Sequence, residues 1–213
     1  MPANPYGPPP VQLPALALDL GTTMGWARLG RAGGWQWGQR ALQHKGEGQQ
    51  EVGLRFYRFQ QWIETQLAPL ATRPQVLFYE DVVHSTGAGA FVIQGQRGIL
   101  MAACERLGVP YFAVNIQTWK AHALPADSPR HKACRQWLQL LHGHVTGKGK
   151  WVQNEKAIYQ QALLAQWRER FDPEHRGPTP GLGCDQPFTD NMAEALWVLH
   201  CGLWQLEGAG NGR

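Results

Sequence analysis

The first half of the chain alternates short apolar runs with turn-forming residues. Residues 16–20 form an apolar run that ends before Gly21, which predicts a buried strand. Residues 26–29 and 34–42 continue as strands on either side of a glycine-containing turn, and this arrangement predicts an antiparallel meander. Apolar side chains then recur every three or four residues over 50–67, which indicates a helix that ends before Pro69.

The second half of the chain alternates strand and helix patterns. Apolar runs at 75–79 and 111–114 predict two more buried strands, with a helix over 88–107 between them that Gly108 ends. Helical patterns also cover 118–123, 130–141, 153–170 and 189–206, the last with Thr189 as its N-cap. Three antiparallel strands and then two parallel ones predict an α/β fold: a mixed five-stranded sheet flanked by helices on both faces.

A chain of 213 residues is long enough for one domain with one substantial core. We expect that domain over 15–207, with a flexible proline-rich arm at 1–14 and a tail at 208–213. No apolar run approaches the roughly 20 residues that cross a bilayer, and the N-terminal residues lack the order of a signal peptide. A cytoplasmic protein without a membrane partner is therefore expected, and its four scattered cysteines are expected to be reduced.

The net charge of +4 is unevenly distributed. Between Lys120 and Lys156 there are seven Lys or Arg residues against two acidic ones. Such a segment beside tryptophans suits a phosphate backbone, because neutralised phosphates release their counterions. An ordinary solvated helix face explains the same charges, so on this ground alone nucleic acid is only slightly favoured.

Four carboxylates stand at positions that the predicted fold brings together. Asp19 and Glu80 each end a predicted buried strand, and such strand ends open into the crevice where α/β sheets bind ligands. Asp190 and Glu194 are four residues apart in the last helix and therefore share one face. Oxygen ligands without Cys or His favour hard ions, so Mg²⁺ is expected, with Mn²⁺ able to substitute.

Such a set suits hydrolysis of a phosphodiester. Two ions about 3.5–4 Å apart activate a water molecule and stabilise the leaving oxygen of an in-line cleavage. Each carboxylate also has a structural explanation: Asp19 as a turn former, Glu80 as an exposed strand end, and Asp190 as a partner of the helix dipole. The joint placement of all four favours the catalytic interpretation.

Four motifs resemble those of the RuvC-type Holliday-junction resolvases, especially the phage and prophage members. Leu18-Asp19-Leu20-Gly21-Thr22-Thr23 is similar to their first strand and turn, and Phe78-Tyr79-Glu80 to their second acidic strand. Thr118-Trp119-Lys120 and Thr146-Gly147-Lys148-Gly149-Lys150, with Lys156 beyond, resemble their lysine-rich segment. Asp190-Asn191-Met192-Ala193-Glu194 resembles their last acidic helix, so the matches run in order along nearly the whole chain.

The resemblance implies an RNase H-like fold, a homodimer, and Mg²⁺-dependent nicking of four-way DNA junctions. It implies that Asp19, Glu80, Asp190 and Glu194 bind two metal ions and that Lys156 lies near the cleaved phosphate. Lys120, Lys148 and Lys150 are then expected to contact DNA. Trp119 either stacks on DNA, worth about 1–3 kcal/mol per base, or packs in the core.

The sequence departs from the family pattern at two places. A basic insertion over 124–144 separates Lys120 from the lysine-rich loop. Val83 stands where some relatives carry an aromatic residue that enters the junction. Two other interpretations stay open: an RNase H-like module that binds branched DNA without cutting it, and a fragment of an actin-like or Hsp70-like ATPase, whose phosphate loop Asp19 to Thr23 also resembles.

A dimer contact is expected on the helix over 88–107. This helix has more apolar positions than one face needs for packing on its own sheet. The surplus predicts a self-complementary patch, and the alternative is a helix buried within its own chain.

Overall fold

The computed structural model describes residues 13–31, 34–81, 87–123 and 189–210, except for the side chains at positions 49, 88, 190, 209 and 210. The fold below is the fold of these residues. The helices expected over 130–141 and 153–170, the insertion at 124–144, and the arm before residue 13 lie outside them.

Within the described residues, five strands form one mixed sheet in the order β3-β2-β1-β4-β5. The central strand β1 pairs antiparallel with β2, which pairs antiparallel with β3, and it pairs in parallel with β4, which pairs in parallel with β5. The expected sheet, with three antiparallel and two parallel strands, is confirmed. The strands are β1 (Ala15–Asp19), β2 (Thr23–Leu29), β3 (Trp35–Ala41), β4 (Val76–Asp81) and β5 (Tyr111–Asn115).

The described helices lie on both faces of the sheet. The two long helices in the middle of the chain end as the sequence predicts: α1 before Pro69, and α2 at Gly108, whose left-handed φ of 65° forms its C-cap. The helices are a 3₁₀ turn (Gln49–Glu51), α1 (Val52–Leu67), α2 (Ala88–Leu107), α3 (Ile116–Ala123) and α4 (Asp190–Gly210).

Helix α4 differs from its prediction only at its end. Its N-cap is Thr189 as expected, because the Met192 N–H donates to Thr189 Oγ1 at 3.4 Å. The helix continues to Gly210, beyond the expected end at Leu206. Glycines lower helix propensity by about 1 kcal/mol each but do not remove a backbone hydrogen bond, so they do not break the helix.

The alternation of side chains along the strands builds two separate cores. Leu16 and Leu18 of β1 pack toward α1 and α2, whereas Ala15 and Ala17 pack toward α3 and α4. Small residues on the α4 side let that helix lie close to the sheet. At Gly202 of α4, an added Cβ would lie 2.4 Å from the Phe78 ring. The two helix layers thus enclose the sheet, and α4 is more deeply buried than α1 or α2.

Among the described residues, no helix combines the length and the apolar character that crossing a membrane requires.

Candidate metal centre

Strand alternation directs Asp19 and Glu80 to the same face of the sheet. Asp19 follows Ala15 and Ala17 at even spacing on β1, and Glu80 follows Val76 and Phe78 on β4. The preceding residues of both series belong to the core beneath α4. Because side chains two residues apart share a face, both carboxylates project on the α4 side at the carboxyl ends of adjacent parallel strands.

Helix α4 supplies the third carboxylate because it crosses β2 opposite Asp19. Gly25 pairs with Asp19 in the sheet, and a Cβ at Gly25 would lie 1.9 Å from the carbonyl oxygen of Asn191. Only glycine permits this approach of a helix backbone to a strand. The start of α4 is also held to β3, since the Thr189 hydroxyl donates to Gln39 Oε1 at 2.9 Å. Glu194, one turn into the helix, therefore faces the strand ends.

Three carboxylates meet at this point. One oxygen each from Asp19, Glu80 and Glu194 lies within 4.8 Å of the others. Asp19 and Glu80 are buried, with 7% and 6% of their surface exposed, and Glu194 is half-buried. Anions this close and this poorly hydrated repel one another, and a divalent cation between them removes that repulsion. The all-oxygen donor set suits a hard divalent ion.

Asp190 occupies the first residue of α4, one turn before Glu194. Its backbone position agrees with the expected pairing of these two residues on one helix face. Its side chain lies outside what the structure describes.

Trp119 does not have the position that stacking on DNA requires. The side chain is fully buried beside α4, in the core that includes Leu196 and Trp197. Its indole N–H donates a hydrogen bond of 2.9 Å to Glu80 Oε1. The expected DNA contact of Trp119 is therefore corrected, because no surface of the ring is free to receive a base. The alternative of core packing describes it.

Lys120 lies next to this tryptophan and is half-buried. Its ammonium group is 5.3 Å from the centre of the Trp119 ring, a cation–π arrangement. One indole therefore separates a lysine from Glu80. Lys148, Lys150 and Lys156, the insertion at 124–144 and Val83 lie outside the described residues.

Helix α2 braces the two acidic strand ends from the other face of the sheet. Gln96 is fully buried, and its Nε2 donates to the Gly21 carbonyl at 2.9 Å, just past Asp19. Arg97 donates to Asp81 Oδ1 at 2.9 Å, next to Glu80. Neither residue is predictable from the sequence pattern, and the bond from Trp119 to Glu80 is not predictable from it either. These contacts join residues far apart in the chain, and no periodic pattern marks them.

The described cysteines offer no thiolate to this site at neutral pH. Burial raises the pKa of Cys104 and of Cys201 to about 12. Both thiols therefore stay protonated, and thiols in this form are poor metal ligands. The chemistry of the cluster is carboxylate chemistry.

This sheet with helices on both faces, and with acidic residues at the ends of its central strands, is the RNase H-like α/β fold. The solved structures similar to the chain include RuvC of Thermus thermophilus. RuvC in complex with a Holliday junction substrate matches with a TM-score of 0.53 and 15% sequence identity, over 92% of this chain and 96% of that one. A second Thermus thermophilus RuvC structure matches with a TM-score of 0.50 and 16% identity, over 91% and 96% of the two chains.

Identities at this level establish a shared fold. Comparison of the sequence with protein-family models gives no match, and neither does comparison with curated proteins.

Proposed function

We propose that the chain is a metal-dependent endodeoxyribonuclease that cuts branched DNA, with four-way junctions as its preferred substrate. The observation that carries the proposal is the cluster of Asp19, Glu80 and Glu194 at the strand ends of an RNase H-like sheet. One of the similar structures is RuvC in complex with a Holliday junction substrate. This likeness supports branched DNA, and not linear duplex, as the substrate proposed for the chain.

In this proposal Asp19, Glu80 and Glu194 hold divalent ions, with Asp190 as a further ligand from the same helix face. Mg²⁺ is the proposed ion, two per site, and Mn²⁺ substitutes for it. When bound, such ions lower the pKa of a water molecule and stabilise the leaving oxygen of a phosphodiester. The protein contributes a rigid donor set, because each described ligand belongs to a strand or a helix that the core holds in place.

The lysines of the basic segment are proposed to hold the DNA backbone. Lys120 is next to Trp119 and hence close to the acidic cluster. Lys148, Lys150 and Lys156 are proposed as further phosphate contacts, with Lys156 nearest the cut. Cations beside a carboxylate cluster offset the repulsion between that cluster and the phosphates, which supports the assignment.

We also propose that the nuclease acts as a homodimer. A four-way junction has two equivalent strands to cut, and a two-fold protein presents two identical sites. Exposed aromatic residues on the outer surface of α1 and α2 support this proposal, since Tyr57 and Phe91 are 59% and 61% exposed.

The test is a cleavage assay on four-way, three-way, flap and linear duplex DNA, with Mg²⁺ and Mn²⁺ in parallel and Mn²⁺ binding measured by calorimetry. We expect cleavage of the four-way junction that requires the metal. Asp19→Asn and Glu80→Gln should each lower the cleavage rate and the Mn²⁺ affinity by more than about 100-fold. Residues that only orient a metal ligand change these quantities by up to about 100-fold, and the loss of a ligand itself should exceed that. Junction binding should persist, because these changes remove no phosphate contact.

Glu64→Gln is the matched control. Glu64 lies on α1 with an ion pair to Arg106 and takes no part in the acidic cluster, so its loss should leave cleavage unchanged. If Asp19→Asn cuts at nearly the wild-type rate, the site is wrongly assigned. Metal-independent binding of junctions with no cleavage by the wild type supports the non-catalytic module instead.

A further inference from the structure

The bond between Trp119 and Glu80 links two buried groups that are 39 positions apart in the chain. Trp119 belongs to α3, and Glu80 to β4. The tryptophan is fully buried and the glutamate is 6% exposed, so bulk water competes little for either group. A hydrogen bond to a carboxylate in such surroundings is stronger than one between neutral groups in water.

The indole N–H is a neutral donor, and this matters for a carboxylate that has to bind a cation. The contrast is given by Asp81, the next residue, which is paired with the Arg97 guanidinium at 2.9 Å. The positive charge of Arg97 beside Asp81 opposes the binding of a second cation at that carboxylate. An indole on Glu80 fixes the carboxylate while leaving its negative charge available.

The packing of Trp119 fixes the direction of its N–H. The ring lies in the core beside α4, and the Lys120 ammonium is over its face. A ring held in this way cannot turn its N–H elsewhere without opening the core. The bonded oxygen of Glu80 is therefore held in one place, and the carboxylate stays directed at Asp19 and Glu194.

We propose that Trp119 is a positioning residue of the metal centre, whose indole N–H holds the Glu80 carboxylate in the orientation that binds the cation. This inference rests on the proposed nuclease site. Donors that orient metal ligands contribute about 10- to 100-fold to metal affinity. In this site the donor is on α3, so the helix that carries Lys120 also sets the geometry of a ligand.

The test uses Trp119→Phe in the full chain, which keeps an aromatic ring but removes the N–H. Calorimetry should show Mn²⁺ affinity about 10- to 100-fold weaker than that of the wild type. In cleavage, kcat should fall while KM for the junction changes little, and high Mn²⁺ should restore part of kcat. Trp197→Phe removes an equally buried indole from the same core, and it should keep the Mn²⁺ affinity of the wild type.

A second measurement does not depend on whether Trp119→Phe folds. In ¹H–¹⁵N spectra of the wild type, the indole resonance of Trp119 should shift on Mg²⁺ addition and again in Glu80→Gln. Selective loss in Trp119→Phe assigns the signal, and single-site labelling of Trp119 assigns it if that variant does not fold.

The outcomes separate this inference from the proposed function. The inference is overturned if Trp119→Phe binds Mn²⁺ as tightly as the wild type, or if Trp197→Phe loses as much Mn²⁺ affinity as Trp119→Phe does. It is also overturned if the indole resonance of Trp119 shifts neither on Mg²⁺ addition nor in Glu80→Gln. In each of these cases the site at Asp19 and Glu80 still stands. Failure of the wild type to bind Mn²⁺ overturns the proposed function itself.

Discussion

At the scale of single residues, Gly25 decides whether the acidic cluster can form. The nearest atoms to a Cβ at this position belong to the backbone of Asn191, at 1.9 and 2.4 Å, so no side-chain rotation can make room. Gly25 is also the partner of Asp19 in the sheet. A side chain at position 25 would therefore push the start of α4 away from Asp19, and Glu194 would move with the helix.

Gly25→Ala should displace the first turn of α4. We expect a loss of about 1–3 kcal/mol in the free energy of unfolding, the usual effect of overpacking, together with weaker Mn²⁺ binding. Gly21→Ala is the control, since its Cβ would meet only the Thr23 carbonyl at 3.5 Å, and it should change stability by less than about 1 kcal/mol. Equal effects of the two substitutions in denaturation and calorimetry would contradict the role of Gly25.

Which residues of the site the sequence predicts depends on how local their signal is. Asp19 and Glu80 are predictable because each comes at the end of an apolar run, and strand ends of an α/β sheet converge. For Trp119 the sequence leaves both stacking on DNA and core packing open, because the residue stands beside a basic segment. Its real direction depends on where α3 meets α4, which is tertiary information that neighbouring residues do not contain.

At the scale of elements, the ends that a local sequence signal marks are predicted best, and contacts between elements are not predicted. The bounds of α2 agree with the prediction because a 3.6-residue period and a left-handed Gly108 mark them locally. Strand β4 extends to Asp81, past its expected end, because pairing with β5 continues to Asn115. The bonds of Gln96 and Arg97 to the strand ends have no counterpart in the sequence pattern.

The connection from β3 to α1 contains an ion pair that gives a dependence on pH. Arg58 of α1 binds the Leu42 carbonyl at 2.8 Å and the Glu47 carboxylate, whose Oε2 also accepts from the His44 N–H. The hydrogen bond from Arg58 lowers the pKa of Glu47 from 4.5 to about 2. Because the folded-state pKa is the lower one, the stabilisation is fully present above pH 4.5 and is lost as the pH falls toward 2.

We therefore expect Glu47→Gln to be less stable than the wild type at neutral pH, with the difference shrinking between pH 4.5 and pH 2. Urea denaturation midpoints at a series of pH values measure this difference. Arg58→Met should show the same pH window because it removes the other partner. A stability difference that stays constant down to the acid limit would show that the pair does not act through the charge of Glu47.

At the scale of the whole molecule, the exposed apolar surface of α1 and α2 bears on assembly. The α1–α2 patch is the pair Phe56 and Phe91, whose ring centres lie 5.8 Å apart, and Leu54 and Tyr57 are further exposed apolar residues of α1. Most of the surplus apolar residues expected on α2 pack into its own chain, including Val92, Leu100 and Cys104. Gly95 likewise accommodates Phe56 of α1, where an added Cβ would lie 2.2 Å from the ring. The surface left for a second copy is thus smaller than the sequence pattern predicts, and Phe91 is its most exposed residue.

Phe91→Glu should convert the proposed dimer into a folded monomer. A carboxylate in the α1–α2 patch would be buried without a partner in a two-fold contact, which costs several kcal/mol and opposes association. Leu70→Glu is the matched control, because Leu70 is 73% exposed and lies outside the patch, between α1 and β4. Sedimentation at micromolar concentration should show a dimer for the wild type and for Leu70→Glu. For Phe91→Glu it should show a 23.8 kDa monomer that binds Mn²⁺ and has lost paired cleavage of the two junction strands. A monomeric wild type that still cuts both strands would contradict the dimer.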